Sequence, residues 1–350
     1  MDIVTMSPKP GSPSKRSLDI HAHMNVPEVM AWAKEHRVVS LDPPADRITD
    51  EMRRETTAWS AKNGKAMYDM ATRLEIMDRT GVDVQALSAS SVMSPTCWAP
   101  PDEALKMQQT LNDRIAAMMA EHPDRFCGLG EIPLHSPSLA IKEMSRCVND
   151  LGFIGVQVSS SAGDMELGDK RLWPVWEKAE ALGALVYLHP SGTTDARQSP
   201  WQLWNSIGQP YEEAMAMASL MYEGVLDAFP GLKICVAHGG GYLPYYIGRL
   251  DRNYIEKPYT KINMTRSPSE YLNFFYYDSC VYNVDILEQL VDKVGADRVI
   301  LGSDFPVGEE EPVEFVNKST RLSSEDKDKI LWKNAAALFR VPALTGAHSR

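Results

Sequence analysis

The chain has 350 residues, and its 44% hydrophobic and 24% charged residues exclude disorder for the bulk of it. A formal charge of −11 repels phosphate backbones, so nucleic acid is not an expected partner. No apolar run is long enough to span a bilayer, so no membrane association is expected either.

Residues 1–16 are rich in Pro, Ser and Lys and read as a disordered arm before a single domain over residues 17–342. Eight short apolar runs then recur: Leu18–His23, Val82–Ser90, Phe126–Pro133, Gly152–Ser159, Ala184–Pro190, Lys233–His238, Phe274–Tyr282 and Val299–Phe305. A helical pattern follows each, near Ala66–Thr80, Asp102–His122, Ser138–Asp150, Arg171–Leu182, Tyr211–Ala228, Leu243–Tyr254, Val284–Val294 and Ser324–Phe339. Ser138 and Ser324 read as N-caps, and Gly152, Gly183 and Gly295 sit where a helix-ending glycine belongs. This alternation implies a parallel sheet, and eight units imply an α/β fold of the (β/α)₈ (TIM) barrel type. A doubly wound open sheet is the alternative, but His21-Ala22-His23-Met24 after the first strand is nothing like a Gly-rich phosphate turn. Two long stretches, Met24–Lys65 after strand one and Ser191–Pro210 after strand five, read as insertions that shape a site.

The five cysteines, Cys97, Cys127, Cys147, Cys235 and Cys280, are odd in number and widely spaced. Free thiols in a reducing cytoplasm follow from that pattern. The histidines say more. His21 and His23 alternate on strand one, so both imidazoles face one side of it. His189 closes strand five, His238 closes strand six and Asp304 closes strand eight. The C-terminal strand ends of a barrel meet on one face, where active sites form. Burying four imidazoles and a carboxylate there without a counter-charge would be costly, and a bound cation relieves that cost. His36, His122, His135 and His348 lack this context and are left on the surface.

These strand-end residues resemble the amidohydrolase superfamily, and more closely its aminocarboxymuconate-semialdehyde decarboxylase branch. Gly224–Lys233 (GVLDAFPGLK), Val236–Gly241 (VAHGGG), Gly248-Arg249, Asp278–Val281 (DSCV), Gly295–Pro306 (GADRVILGSDFP) and Ile330–Ala335 (ILWKNA) carry the resemblance. It is dense from Met70 to Phe339 and weak before that, apart from His21 and His23. The resemblance implies metal ligation by His21, His23, His189 and Asp304. Binuclear members bridge two cations with a residue near the end of strand four, whereas here Gly155–Ser161 offers no Lys, Glu, Asp or Cys, which points to one metal. Zinc suits the imidazoles and is the branch's usual metal; manganese is the alternative. The resemblance further implies non-oxidative decarboxylation of a small aromatic or unsaturated carboxylic acid in a homodimer or larger homo-oligomer.

His238 and Asp304 are the candidate catalytic residues, with His238 as general acid/base or, alternatively, a fourth ligand. Trp201 and Trp204 are candidate substrate walls, or else lid anchors. Arg249 is a candidate for binding the carboxylate of a partner subunit's substrate. Arg37, Arg47, Arg53 and Arg54 in the first insertion could also bind a carboxylate. Hydration or C–C hydrolysis with the same ligands is the alternative chemistry, and a metal-binding barrel without activity is a third reading.

Overall fold

The computed structural model describes residues 16–36, 48–90, 97–190, 192 and 195–339. Arg37, Arg47, His348 and nearly all of the expected N-terminal arm lie outside these residues. The strands are β1 (Leu18–Met24), β2 (Val84–Ala89), β3 (Phe126–Glu131), β4 (Gly155–Val158), β5 (Ser161–Ala162), β6 (Met165–Glu166), β7 (Leu185–Leu188), β8 (Lys233–Val236), β9 (Phe275–Asp278) and β10 (Val299–Ile300). Eight of them form one sheet in the order β1-β2-β3-β4-β7-β8-β9-β10, every neighbouring pair parallel. Backbone bonds close the ring: Ile20 N–H donates to Leu301 O at 2.8 Å, His23 N–H to Phe305 O at 2.8 Å, and Phe305 N–H to His21 O at 3.0 Å. The expected (β/α)₈ barrel is therefore observed. The β5–β6 hairpin after β4 is an addition that strands of two residues did not announce.

Alternation along the strands sorts side chains between layers. On β7, Leu185 and Tyr187 belong to one buried cluster, while Val186 and Leu188 join another with Trp176, Met144 and Leu220 from the surrounding helices. Each fully buried side chain of this size contributes about 1.5–3 kcal/mol. Tyr187 faces the interior beside His21, their rings 5.4 Å apart. His189 continues that parity, which brings it to the same face.

Element ends depart from expectation in instructive ways. Ser136, rather than Ser138, precedes the helix Pro137–Asn149, because Pro137 is suited to the first helical position. Ser323, rather than Ser324, caps the helix after it, in a reciprocal capping box with Asp326. Gly183 ends its helix in the left-handed conformation as expected, at φ 63°. The first insertion contains two helices, Pro27–His36 and Asp50–Asn63, the second capped by Thr49 Oγ1 accepting from Met52 N–H at 3.2 Å. All five cysteines are free; four are buried and Cys97 is half-buried.

Candidate active site

The ends of β1, β7 and β10 place four donors together. His21, His23, His189 and Asp304 are buried, and one ligand atom from each lies within 4.8 Å of the others. Among the described residues this is the one cluster of its kind. Nε2 of His23 stands 3.1 Å from Nε2 of His21 and 3.2 Å from Nε2 of His189. Asp304 Oδ1 lies 3.2 Å from Nε2 of both His21 and His23.

The outer nitrogens explain why the inner ones converge. His21 Nδ1 donates to Asp278 Oδ2 at 2.7 Å, His23 Nδ1 to Ala89 O at 2.8 Å, and His189 Nδ1 to Pro190 O at 3.1 Å. With each Nδ1 proton committed outward, three Nε2 lone pairs and one carboxylate oxygen face a common point. Four such donors repel one another unless a positive charge sits among them. Separations of 3.1 to 3.2 Å between these donors suit ligands that share one cation. The same convergence draws positive charge to the cluster. Burial opposes a charged His21, yet Asp304 and Asp278 outweigh it and push that imidazole up to about 9. Burial holds His23 and His189 below the ordinary imidazole range. Burial also opposes ionisation of Asp304, but His21 and the neighbouring imidazoles keep it well below the usual carboxylate range. The donor set fits one divalent cation.

Two residues absent from the sequence-derived site complete it. Asp278, at the end of β9, is fully buried and accepts four bonds: from His21 Nδ1, from Tyr187 OH at 2.9 Å, and from the backbone N–H groups of Gly239 and Cys280, both at 3.1 Å. Glu213, in the helix Gln209–Tyr222, places Oε1 2.5 Å from Nδ1 of His238. Nε2 of His238 lies 3.7 Å from Asp304 Oδ2. Burial opposes the charge on His238, but Glu213 and Asp304 raise its pKa well above the ordinary imidazole range. Burial in turn pushes Glu213 up to about 7.

The backbone that presents His238 is tight. His238 has φ 49°, and Gly239, Gly240 and Gly241 follow at 63°, 79° and 61°. A Cβ at Gly241 would stand 2.3 Å from Pro210 O, so only glycine lets this turn close against the helix that carries Glu213.

A cavity of about 740 Å³ opens over Asp304, His23 and His189. Trp59, Trp204 and Tyr282 supply aromatic walls. Trp204 therefore stands where expected. Trp201 does not line the cavity and is 76% exposed, with its backbone in the left-handed region at φ 63°. No lysine or arginine is among the described residues that line the cavity. Arg53 and Arg54 are exposed on the insertion helix, and Arg249 is exposed on the helix Gly248–Glu256. His122 and His135 are half-buried rather than on the surface, and the His36 side chain lies outside what is described.

The amidohydrolase family profile matches residues 18–341. A 2-amino-3-carboxymuconate-6-semialdehyde decarboxylase of Dictyostelium discoideum is 36% identical over 273 residues, covering 77% of this chain and 76% of that protein. A gamma-resorcylate decarboxylase of Polaromonas sp. is 31% identical over 299 residues, covering 81% and 91%. Among solved structures, a dihydroxybenzoic acid decarboxylase of Polaromonas sp. with bound manganese and the inhibitor 2-nitroresorcinol superposes with a TM-score of 0.79 at 26% identity, covering 94% of this chain and 99% of that one.

Proposed function

We propose that this chain, which belongs to the amidohydrolase family, is a metal-dependent decarboxylase of a small aromatic or unsaturated carboxylic acid. One observation carries the reading: the imidazole of His238 is held between Glu213 and Asp304 directly beside a three-histidine, one-carboxylate donor set. The relatives support the same reading through their names, which are those of decarboxylases of conjugated acids.

A divalent cation held by His21, His23, His189 and Asp304 would supply Lewis acidity toward the oxygens of the substrate. The chain does the rest. Trp59, Trp204 and Tyr282 would wall a planar conjugated group in the cavity. Glu213 keeps the Nδ1 proton of His238, so the mobile proton is the one on Nε2. That proton passes to the carbon bearing the carboxylate, and a π electron pair of the substrate forms the new C–H bond. The C–C bond to the carboxylate then breaks, its electron pair restores the conjugation, and CO₂ leaves. His238 recovers a proton from solvent.

Three imidazoles suit zinc, while the Polaromonas structure holds manganese; metal analysis of protein purified without added metal distinguishes them. Beyond that cation, no lysine or arginine among the described residues lines the cavity to pair with the substrate carboxylate. Arg249 of a second copy is our candidate for that pairing. Tyr246 and Ile255, three residues before and six residues after Arg249 in the chain, are 64% and 69% exposed, which favours burial of this segment against a partner. The free thiols suit a cytoplasmic setting. Among the described residues, no helix is long and apolar enough to cross a membrane.

The test of the role given to His238 is His238→Asn. It should keep its metal and lose about 10²–10⁴-fold in turnover, as expected for a general acid. Loss of metal in proportion to activity would instead make His238 a ligand.

A further inference from the structure

Beneath the donor set lies a second polar layer that the proposed chemistry does not use. Asp19 is fully buried two residues before His21. Its Oδ1 accepts from the backbone N–H of His21 at 3.1 Å and of Ser303 at 3.0 Å. Its Oδ2 accepts from Ser303 Oγ at 2.6 Å and from Gln85 Nε2 at 3.2 Å. Ser303 directly precedes Asp304, which has the left-handed backbone conformation at φ 58°. Gln85 is itself fixed, because its Oε1 accepts from Arg73 Nη1 at 2.9 Å. The other end of the buried Arg73 guanidinium donates to the carbonyl of His23 and lies 4.5 Å over the ring of Phe305, the residue after Asp304.

We infer that Asp19, backed by Gln85 and Arg73, is a positioning residue that holds Asp304 in register with His21 and His23. The inference rests on reading the donor set as a metal site. Those ligands come from opposite ends of the chain, β1 and the segment after β10, where the barrel closes on itself. Backbone bonds join the two segments and close the turn itself, through Val307 and Gly308 N–H to Asp304 O, and Asp19 adds side-chain bonds to Ser303 just before it. The carboxylate of Asp19 ties that turn to the N–H of His21, and the guanidinium of Arg73 ties the His23 carbonyl to the same layer. A neutral amide cannot replace the carboxylate. Asp19 faces four donors, and the Gln85 amide cannot rotate to offer its oxygen because Arg73 already occupies it. Asparagine at residue 19 would set an N–H against at least one of the three N–H donors, because only the Ser303 hydroxyl can turn to accept.

The test uses Co²⁺ as the probe on metal-stripped protein, reading affinity from visible absorption and stability from thermal melting. Asp19→Asn should bind Co²⁺ roughly 10–100-fold more weakly, the range typical of groups that orient ligands, with an altered absorption band. Ser303→Ala, which removes only the 2.6 Å bond, should shift both in the same direction by less. Asp227→Asn breaks a different network, with Thr265 Oγ1 at 2.6 Å and Arg266 Nη1 at 2.5 Å. It should lower the melting temperature and leave Co²⁺ affinity unchanged. Wild-type affinity and spectrum in folded Asp19→Asn would overturn the inference. If that variant does not fold, wild-type affinity and spectrum in Ser303→Ala would overturn it instead. Failure of the wild-type chain to bind Co²⁺ would overturn the metal reading beneath it.

Discussion

Glu213 Oε1 lies 2.5 Å from Nδ1 of His238, joining a helix that follows the fifth barrel strand to the turn that follows the sixth. The pairing holds the Nδ1 side of the ring, leaves Nε2 3.7 Å from Asp304 Oδ2 and raises the imidazole above its ordinary range. Replacing Glu213 with glutamine removes the anion while nearly preserving shape. We expect kcat to fall about 10–100-fold, less than for loss of His238 itself. The pH profile should move in a defined direction. An imidazole whose pKa is raised by an anion holds its proton to higher pH, so losing that anion moves the alkaline limb of kcat to lower pH. An unmoved limb in Glu213→Gln would detach Glu213 from the acid.

Asp278 orients His21 without reaching the donor cluster itself. Its carboxylate accepts four bonds, so Asp278→Asn must turn an amide N–H toward one of four donors. Metal affinity should drop by roughly 10–100-fold, measured by competition with a chromophoric chelator. Unchanged affinity would show that His21 is held by its backbone alone.

Arg249 gives a prediction about assembly. Inactive Arg249→Ala chains mixed with inactive His238→Asn chains should regain part of the activity, because one site of each mixed dimer then has both residues intact. Mixed dimers confirmed by mass spectrometry but without activity would remove Arg249 from the site.

Much of this architecture was legible in the sequence. His21, His23, His189, His238 and Asp304 each interrupt or end an apolar strand, and a barrel brings all such ends together. Asp278 also ends an apolar strand and stands in a segment similar to the decarboxylase branch, but without a histidine beside it nothing marked it as a partner of His21. Glu213 was harder. It adjoins Glu212, and only its phase separates the two: Glu213 shares its buried face with Ala216, Met217, Leu220 and Met221. Glu212 turns instead to Ser160, at 3.1 Å. The insertion helix Asp50–Asn63 was not legible, because it is almost wholly exposed and has no apolar stripe to announce it. Trp201 lies outside the cavity lining, which leaves the lid-anchor alternative for it, and no glycine marks its left-handed backbone in the sequence.

The central claim is that this site removes CO₂ and places a proton on the carbon left behind. Its most direct test is product analysis by mass spectrometry after incubation of the metal-loaded protein in D₂O with a panel of hydroxybenzoates, naphthoates and muconate semialdehydes. The account predicts, for the accepted substrate, release of CO₂ and one solvent deuterium at the vacated carbon. A product that has gained water, or that is cleaved into two fragments neither of which is CO₂, would contradict it.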